Sequence, residues 1–577
     1  MQKNTSTTLI NLAALAARRA GVITLEQAGA ALWQRQLSGT PSRILFAPET
    51  LLTSDPGAAE NIYAGVFALA GDTVDVAGDS PFSIVPPTAR WARALHSFEW
   101  LIHLEAHAGE LSAVNARALI EEWIAAKSAS SSAAQAPDVV ARRVTAWLVE
   151  SPLLLDGAKA PFKLAYMRSL GRQLRRLERV CGRLPHGVAR GEVACALCLA
   201  GTVIADQSRL QRWALAVLRE TLDAQVLPDG GHATRNPAAL SALLTAVLPL
   251  REALQRRQQA VPQGLVAAID RMLPMLRFLR HTDGTLSAFH GAGFEPASRI
   301  TSILAWDDVS GRPSDNARYS GFQRLGAGDS AVLFDTGKTP APGFAAAAHA
   351  SALAFELSHG GFRLVGGCGA LGNARPGWES AARASAAHST LTLADRSSAK
   401  ILALWPLSAI LGPVLYRGPR EVMVEREGRF ARATHDGYRD EFGVVHERTL
   451  SLSEDGLWLD GTDKLIGEGK LAAAAFALRF HLGPDVKVRR DKARRNAMLR
   501  LPDGSLWLFA VDDGPPLELE ESIVLAAPRA LKRTVQIVIP ANTLTDDVVR
   551  WHIARHAEPL SDGDDPGDGA AQTVERP

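Results

Sequence analysis

The first half of the chain has the hydrophobic spacing of α-helices. From Leu9 to about Leu279, apolar residues recur every three or four positions, with little strict alternation. The pattern predicts helices at roughly 9–20, 25–37, 90–108, 112–127, 137–150, 163–184, 188–206, 209–226, 238–258 and 262–280. Because short Gly, Pro, Asp and Ser segments separate these helices, we expect them to stack as antiparallel pairs.

After Gly293 the pattern changes to short runs in which apolar and polar residues alternate. Three segments place a glycine-containing turn between two such runs and therefore predict β-hairpins: 353–365, 448–460 and 497–509. Strands that follow one another without intervening helices are typical of an antiparallel sandwich, and this order excludes Rossmann and TIM-barrel folds. The sequence thus predicts an α+β multidomain protein with a helical domain at 1–300, a β-sandwich at 301–557 and a disordered tail at 558–577.

Composition narrows the functional classes. Lys and Arg number 63 and Asp and Glu 61, so a net charge of +2 gives no indication of general nucleic-acid binding. The four cysteines are too few for a disulfide framework, and Cys195 and Cys198 read as packing residues of an apolar helix. No window has the roughly 18 uncharged apolar residues of a membrane span, and the N-terminus carries no convincing export signal. On these grounds alone we expect a cytoplasmic protein; its oligomeric state is not indicated.

One loop concentrates polar side chains just before a predicted helix. Within 227–237, the residues His232, Arg235 and Asn236 follow a Gly-Gly turn and precede Pro237, which suits the first position of a helix. A loop fixed in this way can present three polar groups to a ligand. The alternative is purely structural, with Asn236 serving as the helix N-cap.

Three residues in the second half could bind a metal ion. His349 and His388 each precede a predicted strand, and Cys368 follows another. Imidazole and thiolate are zinc ligands, so the three could form a structural zinc site, although buried hydrogen-bonded histidines are the commoner outcome. Tyr319 and Tyr438 lie beside polar clusters and are either proton carriers or structural hydrogen-bonding residues.

Arginines recur along the polar face of the predicted 163–184 helix. They are Arg168, Arg172, Arg175, Arg176, Arg179 and Arg183. Guanidinium groups match carboxylate and sulfate oxygens, so this face is either a solvated surface or a track for a polyanion.

Several of these segments, in this order, resemble the heparinase II/III family of polysaccharide lyases. They are 229–237, 281–289, 320–325, 348–356, 387–390 and 435–438. The resemblance implies an incomplete α/α toroid followed by an antiparallel β-sandwich, with an acidic, uronate-containing polysaccharide bound between them. It also implies cleavage by β-elimination, without a required cofactor, and a place in the periplasm or cell envelope.

The family chemistry assigns roles to particular residues. A uronate loses its C5 proton only when its carboxylate is neutralised. A base must then remove this proton, and an acid must protonate the departing O4. By resemblance, the catalytic candidates are His232, Asn236, Tyr319 and His349. The candidate substrate-binding residues are Arg235, His290, Arg383, His435 and Tyr438, and His349, His388 and Cys368 are the candidate metal ligands.

The chain also departs from the family pattern. The family often has His-x-His where this sequence has Ala347-Ala348-His349, and Phe289-His290 stands where a catalytic tyrosine is expected. Two other functions therefore remain open. One is a glycan-binding or envelope-associated protein without catalysis. The other is a glycoside hydrolase, which needs two facing carboxylates, for which Asp229 and Asp283 are the only loop candidates.

Overall fold

The computed structural model describes residues 10–21, 24, 40–106, 109–306, 313–370, 377–402, 406–412, 414–467, 473–527 and 530–556. The helix predicted at 25–37 and the tail predicted at 558–577 lie outside these ranges.

The first half is a stack of helices, as the spacing predicts. The helices are α1 (10–21), α2 (Pro56–Tyr63), α3 (Ala89–Ser97), α4 (Leu101–Glu105), α5 (Glu110–Ala125), α6 (Ser132–Gln135), α7 (Pro137–Val149), α8 (Ser151–Leu155), α9 (Ala160–Cys181), α10 (Val188–Val203), α11 (Ser208–Gln225), α12 (Pro237–Arg256), α13 (Gln263–Phe278) and α14 (Ala297–Leu304). Helix α10 packs against α7, α11 and α12 and lies at the centre of the stack.

Two local predictions were wrong. The single helix predicted at 90–108 is two helices, because Phe98 adopts a left-handed conformation with φ 60° and ends α3. Its ring is fully buried and stacks on Trp100, so burial of the aromatic ring compensates for the strained backbone. The helical half also contains a hairpin that the helical pattern does not predict, β1 (Val66–Leu69) with β2 (Asp72–Asp75).

In the residues that the structure describes, the second half consists of antiparallel strands with three short α-helices. The strands are β3 (Asn316–Ala317), β4 (Phe322–Ala327), β5 (Ser330–Asp335), β6 (Phe355–His359), β7 (Phe362–Gly366), β8 (Leu391–Leu393), β9 (Lys400–Ile401), β10 (Leu415–Arg417), β11 (Val422–Glu427), β12 (Phe430–His435), β13 (Val444–Leu452), β14 (Trp458–Gly467), β15 (Ala475–Leu482), β16 (Lys487–Arg490), β17 (Asn496–Arg500), β18 (Leu506–Asp513), β19 (Glu518–Leu525), β20 (Leu531–Asn542) and β21 (Val548–His556). The helices are α15 (Glu379–Ala382), α16 (Leu407–Leu411) and α17 (Arg439–Phe442).

Two large sheets form the sandwich, which confirms the predicted fold class. One has the order β11-β12-β13-β14-β21-β18-β17-β16, and the other has the order β19-β20-β15-β7-β6-β5-β4-β3, with β8 also paired to β15. All three predicted hairpins are present, as β6–β7, β13–β14 and β17–β18. Alternating side chains of both sheets form one apolar core between them.

The helical half has a separate core, and the second sheet reaches into it. Phe322 of β4 and Leu333 of β5 belong to this core, so these strands pack directly on the helices. Helix α12 is long and apolar enough to span a membrane, yet 67% of its apolar window is buried inside the protein. The contact between β4, β5 and the helices fixes the position of the polar loop before α12. The boundary predicted near residue 300 stays a prediction.

Candidate functional site

The loop before α12 is folded onto itself by a short bridge. Val226 pairs with His232, and the turn between them is closed by the N–H of Gly230, which donates to the carbonyl of Leu227 over 2.8 Å. His232 lies inside this loop, 2% exposed. Its Nδ1 is 2.7 Å from the hydroxyl of Thr234, and its Nε2 is 2.9 Å from Oε1 of Gln225. Burial lowers the pKa of His232 to about 4, so the ring is neutral and braces the loop.

Arg235 links this loop to the second sheet. Its guanidinium donates to the carbonyls of Ser320 (2.6 Å), Gly321 (3.0 Å) and Lys338 (3.0 Å) and forms an ion pair with Asp335. A side chain at position 337 would collide with this guanidinium, which explains the glycine found there. By family resemblance, Arg235 is a candidate substrate-binding residue. The structure buries the side chain and directs its donors to protein acceptors.

Several polar residues around this link are accessible to solvent. We call four of them the junction surface: Asn236, Arg318, Tyr319 and Lys338. Tyr319 is 59% exposed, and the Arg318 guanidinium lies 5.7 Å from the centre of its ring. Asn236 is half-buried and caps α12 by accepting a hydrogen bond from the N–H of Ala238 (2.8 Å). The junction surface thus combines two cations, an aromatic ring and an amide.

Asp229 holds one side of this surface in place. Its Oδ2 accepts hydrogen bonds from the N–H groups of Tyr319 (2.8 Å) and Ser320 (2.7 Å). The other candidate acid of the sequence analysis, Asp283, accepts from the N–H of Thr285 (2.8 Å) and forms an ion pair with Arg363. Both carboxylates therefore stabilise turns, and the structure does not place them as a facing acid–base pair.

Behind the junction surface lies a histidine row, consisting of His290, His349 and His388. Nε2 of His290 is 3.0 Å from Oδ2 of Asp335, and the N–H of His349 donates to Nδ1 of His290 over 3.4 Å. Nδ1 of His349 then lies 3.0 Å from Nε2 of His388. The three side chains are 2%, 4% and 1% exposed.

Burial decides the charge of the histidine row. It lowers the pKa of His388 to about 4 and that of His349 further below the ordinary value, the latter helped by the neighbouring histidines. The pKa of His290 is also lowered, by burial and by Arg235, although Asp335 opposes the shift. These rings are neutral near pH 7 and almost entirely buried.

Of the three proposed zinc ligands, the side chains of His349 and His388 contact each other. The Cys368 thiol lies 3.7 Å from Nδ1 of His481, and burial raises its pKa to about 11. Gly367, which lies beside His388, has no side chain to contribute. No group of three or more His, Cys, Asp or Glu side chains suited to a metal ion occurs in the described parts of the chain. Two imidazoles alone do not make a structural zinc site, which takes four ligands.

The remaining candidate sugar-binding residues lie in the interior. Arg383 donates to the carbonyls of Ala348 (2.8 Å) and Ala345 (3.4 Å) and so braces the segment before His349. His435 is 3.3 Å from His446 inside the sandwich, and Tyr438 donates to the carbonyl of Leu391 over 2.8 Å. Each of these side chains is 5% exposed or less, so none reaches the junction surface.

Sequence reasoning missed the residues that organise the site. Asp335 is fully buried and accepts from Arg235 and, over 2.7 Å, from the hydroxyl of Ser351. A charged residue directly after the apolar run of β5 was the available signal, because such a group is buried only when it is paired. Arg318 and Lys338 carry no motif and become significant only through the contacts of Arg235.

Comparisons with known proteins agree with this architecture. Residues 309–558 match the family model described as Heparinase II/III-like, C-terminal. The "FtsZ-localized protein C" of Caulobacter vibrioides is 32% identical over 487 residues, covering 82% of this chain and 83% of that protein. Heparinase III has the same fold, with a TM-score of 0.66 and 14% identity over 93% of this chain and 91% of its own. A heparan sulfate lyase HepC mutant from Pedobacter heparinus also has this fold, with a TM-score of 0.60 and 15% identity, over 94% of this chain and 89% of that protein.

Proposed function

Because the chain belongs to the heparinase II/III family, we propose that its junction surface binds an acidic polysaccharide and does not cleave it. The observation that carries the proposal is the arrangement of buried and exposed side chains around Arg235. This buried side chain donates hydrogen bonds to the carbonyl of Ser320, next to Tyr319, and to the carbonyl of Lys338. Arg235 also directly precedes Asn236 in the chain, so it holds the residues of the junction surface together. The histidines of the same region are enclosed behind that surface.

The groups of the junction surface suit a uronate or a sulfated sugar. The guanidinium of Arg318 matches a carboxylate or sulfate with two parallel hydrogen bonds, and Lys338 supplies a second positive charge. The exposed face of Tyr319 can pack on a sugar ring, and Asn236 offers amide donors. These interactions give recognition without requiring any group to change its protonation state.

Cleavage by β-elimination makes demands on a site beyond recognition of the polymer. A base must reach the C5 proton and an acid must reach the leaving oxygen, at about hydrogen-bond distance. His232, His290 and His349, to which the sequence analysis gives catalytic or binding roles, are each 4% exposed or less. Both ring nitrogens of His232 and of His290 are bonded to other protein groups, as is Nδ1 of His349.

A second candidate function is the lyase reaction itself, and Tyr319 is the observation that favours it. Among the candidate catalytic and substrate-binding residues, Tyr319 has the most exposed ring, and it belongs to the junction surface together with Asn236. In this alternative, Asn236 neutralises the uronate carboxylate and Tyr319 carries the proton.

The place of action is a separate proposal. The Caulobacter relative is named for its localisation with FtsZ, and its 32% identity supports the same localisation for this chain. A fluorescent fusion imaged together with labelled FtsZ tests it: co-localisation at the division site is expected, and a uniform distribution would contradict it.

Ultraviolet absorbance separates the two candidate functions, because β-elimination creates an absorbing unsaturated uronate. Heparin, heparan sulfate, alginate and chondroitin sulfate are incubated with the protein, and binding to each is measured by titration. We expect saturable binding of at least one polymer and no rise in absorbance. The double variant Arg318→Ala/Lys338→Ala should weaken binding at least tenfold, while the control Arg500→Ala, at the exposed end of β17 in the other large sheet, should not.

A further inference from the structure

A cavity of about 210 Å³ lies inside the helical half, away from the junction surface. Its walls come from α7, α10 and α12, and it reaches the solvent beside the exposed Glu49. Apolar side chains form much of the wall, including Ile102, Val149 and Leu199. A cavity of this kind accommodates a small molecule with a hydrocarbon part.

The charged groups of the wall are mostly acidic. It contains five glutamates and two arginines, namely Glu49, Glu99, Glu150, Glu192, Glu295, Arg142 and Arg299. Both arginines already have acidic partners: Arg142 forms ion pairs with Glu192 (2.8 Å) and Glu99 (4.0 Å), and Arg299 with Glu295 (3.6 Å). Burial raises the pKa of Glu150 and Glu192 to about 7 and that of Glu295 above its ordinary value, so a cation bound in the cavity would favour the ionised form of these groups, whereas an acidic ligand would oppose it.

Glu150 is the group that points to a ligand. Glu150 is the residue directly after α7, and it lines the cavity. Only 3% of the residue is exposed. Its Oε1 is buried without a hydrogen-bond partner in the described structure. Burial, and to a smaller extent the negative charge of the nearby Glu105, raises the pKa of Glu150 to about 7. Buried carboxylate oxygens nearly always accept a hydrogen bond, so a donor from a ligand would complete this site.

We propose that this cavity binds a small aliphatic amine, with the ammonium group donating to Glu150 and the hydrocarbon chain packed along Ile102, Val149 and Leu199. An ammonium group brings three donors and the charge that the wall lacks. An alcohol would supply a donor without the charge, and a carboxylate would supply neither. The site is distinct from the junction surface and goes beyond the proposed polysaccharide binding.

Calorimetric titration of the full chain with butylamine tests the proposal, with 1-butanol and butyrate as uncharged and acidic controls of similar size. We expect saturable binding of butylamine that is at least tenfold tighter than that of 1-butanol, and no binding of butyrate. Glu150→Gln, which keeps the shape but removes the charge, should weaken butylamine at least tenfold. The control Glu178→Gln, on the exposed face of α9, should leave the affinity unchanged.

Three results would overturn the proposal: no saturable heat with butylamine, equal affinity for 1-butanol, or unchanged affinity in a folded Glu150→Gln variant. If that variant does not fold, the selectivity of the native chain for butylamine over 1-butanol decides the matter. Polysaccharide titrations repeated in saturating butylamine keep the two sites apart, because their result should not change.

Discussion

Replacing Arg235 removes the link that holds the junction surface together. Arg235→Met keeps most of the side-chain volume but removes every donor of the guanidinium. The carbonyls of Ser320 and Lys338 then lose a hydrogen bond, and Asp335 loses its cationic partner. We expect the variant to be less stable and to bind polysaccharide weakly, because the segment that carries Lys338 is no longer tied to the loop before α12. The segment that carries Tyr319 loses its bond to Arg235 and keeps its hydrogen bonds to Asp229.

The size of the effect follows from the remaining partners of Asp335. Breaking a buried ion pair by removing one member costs about 3–5 kcal/mol of unfolding free energy. Asp335 keeps hydrogen bonds from the hydroxyl of Ser351 (2.7 Å) and from the ring of His290 (3.0 Å), so we expect the lower end, about 3 kcal/mol. Adding Asp335→Asn to Arg235→Met removes the uncompensated charge and should recover about 1 kcal/mol or more.

Guanidinium unfolding followed by circular dichroism measures these free energies, and the polysaccharide titration is run on the same samples. Arg318→Met is the matched control, since it removes an exposed arginine of the same surface and should change stability by less than about 0.5 kcal/mol. An Arg235→Met variant within about 1 kcal/mol of the native chain, with native polysaccharide affinity, would refute the reasoning.

Three further predictions concern single sites. Asn236→Ala should cost about 1 kcal/mol of unfolding free energy through loss of the α12 cap, whereas Asn236→Asp should cost almost nothing; denaturation midpoints that do not differ would contradict this. Glu150 has a folded pKa raised to about 7, mainly by burial, so the native chain loses stability as the pH rises from about 4.5 to 7. Glu150→Gln should remove that loss and stabilise the protein at pH 8 by up to about 3 kcal/mol, as unfolding at pH 5 and pH 8 will show. Elemental analysis should find less than about a tenth of an equivalent of zinc in the purified protein, because among the candidate metal ligands the imidazoles of His349 and His388 contact each other without the two further ligands that a structural zinc site needs; one full equivalent would contradict this.

The architecture was predictable because it depends on local patterns. The stripe of Met167, Leu170 and Leu174 is buried in α9, and the turn at Asp455-Gly456 joins β13 to β14 as the alternation indicates. The break at Phe98 was not predictable from spacing, because it depends on the burial of one aromatic ring among distant tryptophans.

The site was less predictable, because burial is a property of the whole fold. His349 and His388 stand near each other, as adjacent strand positions indicate, but the sequence does not show that a packed interior encloses them. Arg235 and Asp335 are 100 residues apart in the chain, so their pairing has no local signal. Single polar residues in a loop therefore indicate chemistry, while their exposure decides whether they bind a ligand or support the fold.

The central claim is that the junction surface binds an acidic polysaccharide without breaking it. The most direct test is one sample in which polysaccharide binding and ultraviolet absorbance are followed together, at a polymer concentration that saturates the protein. We expect saturation with a flat absorbance over many hours. A steady rise in absorbance that disappears in Tyr319→Phe would contradict the claim and would show that the exposed tyrosine carries a lyase reaction.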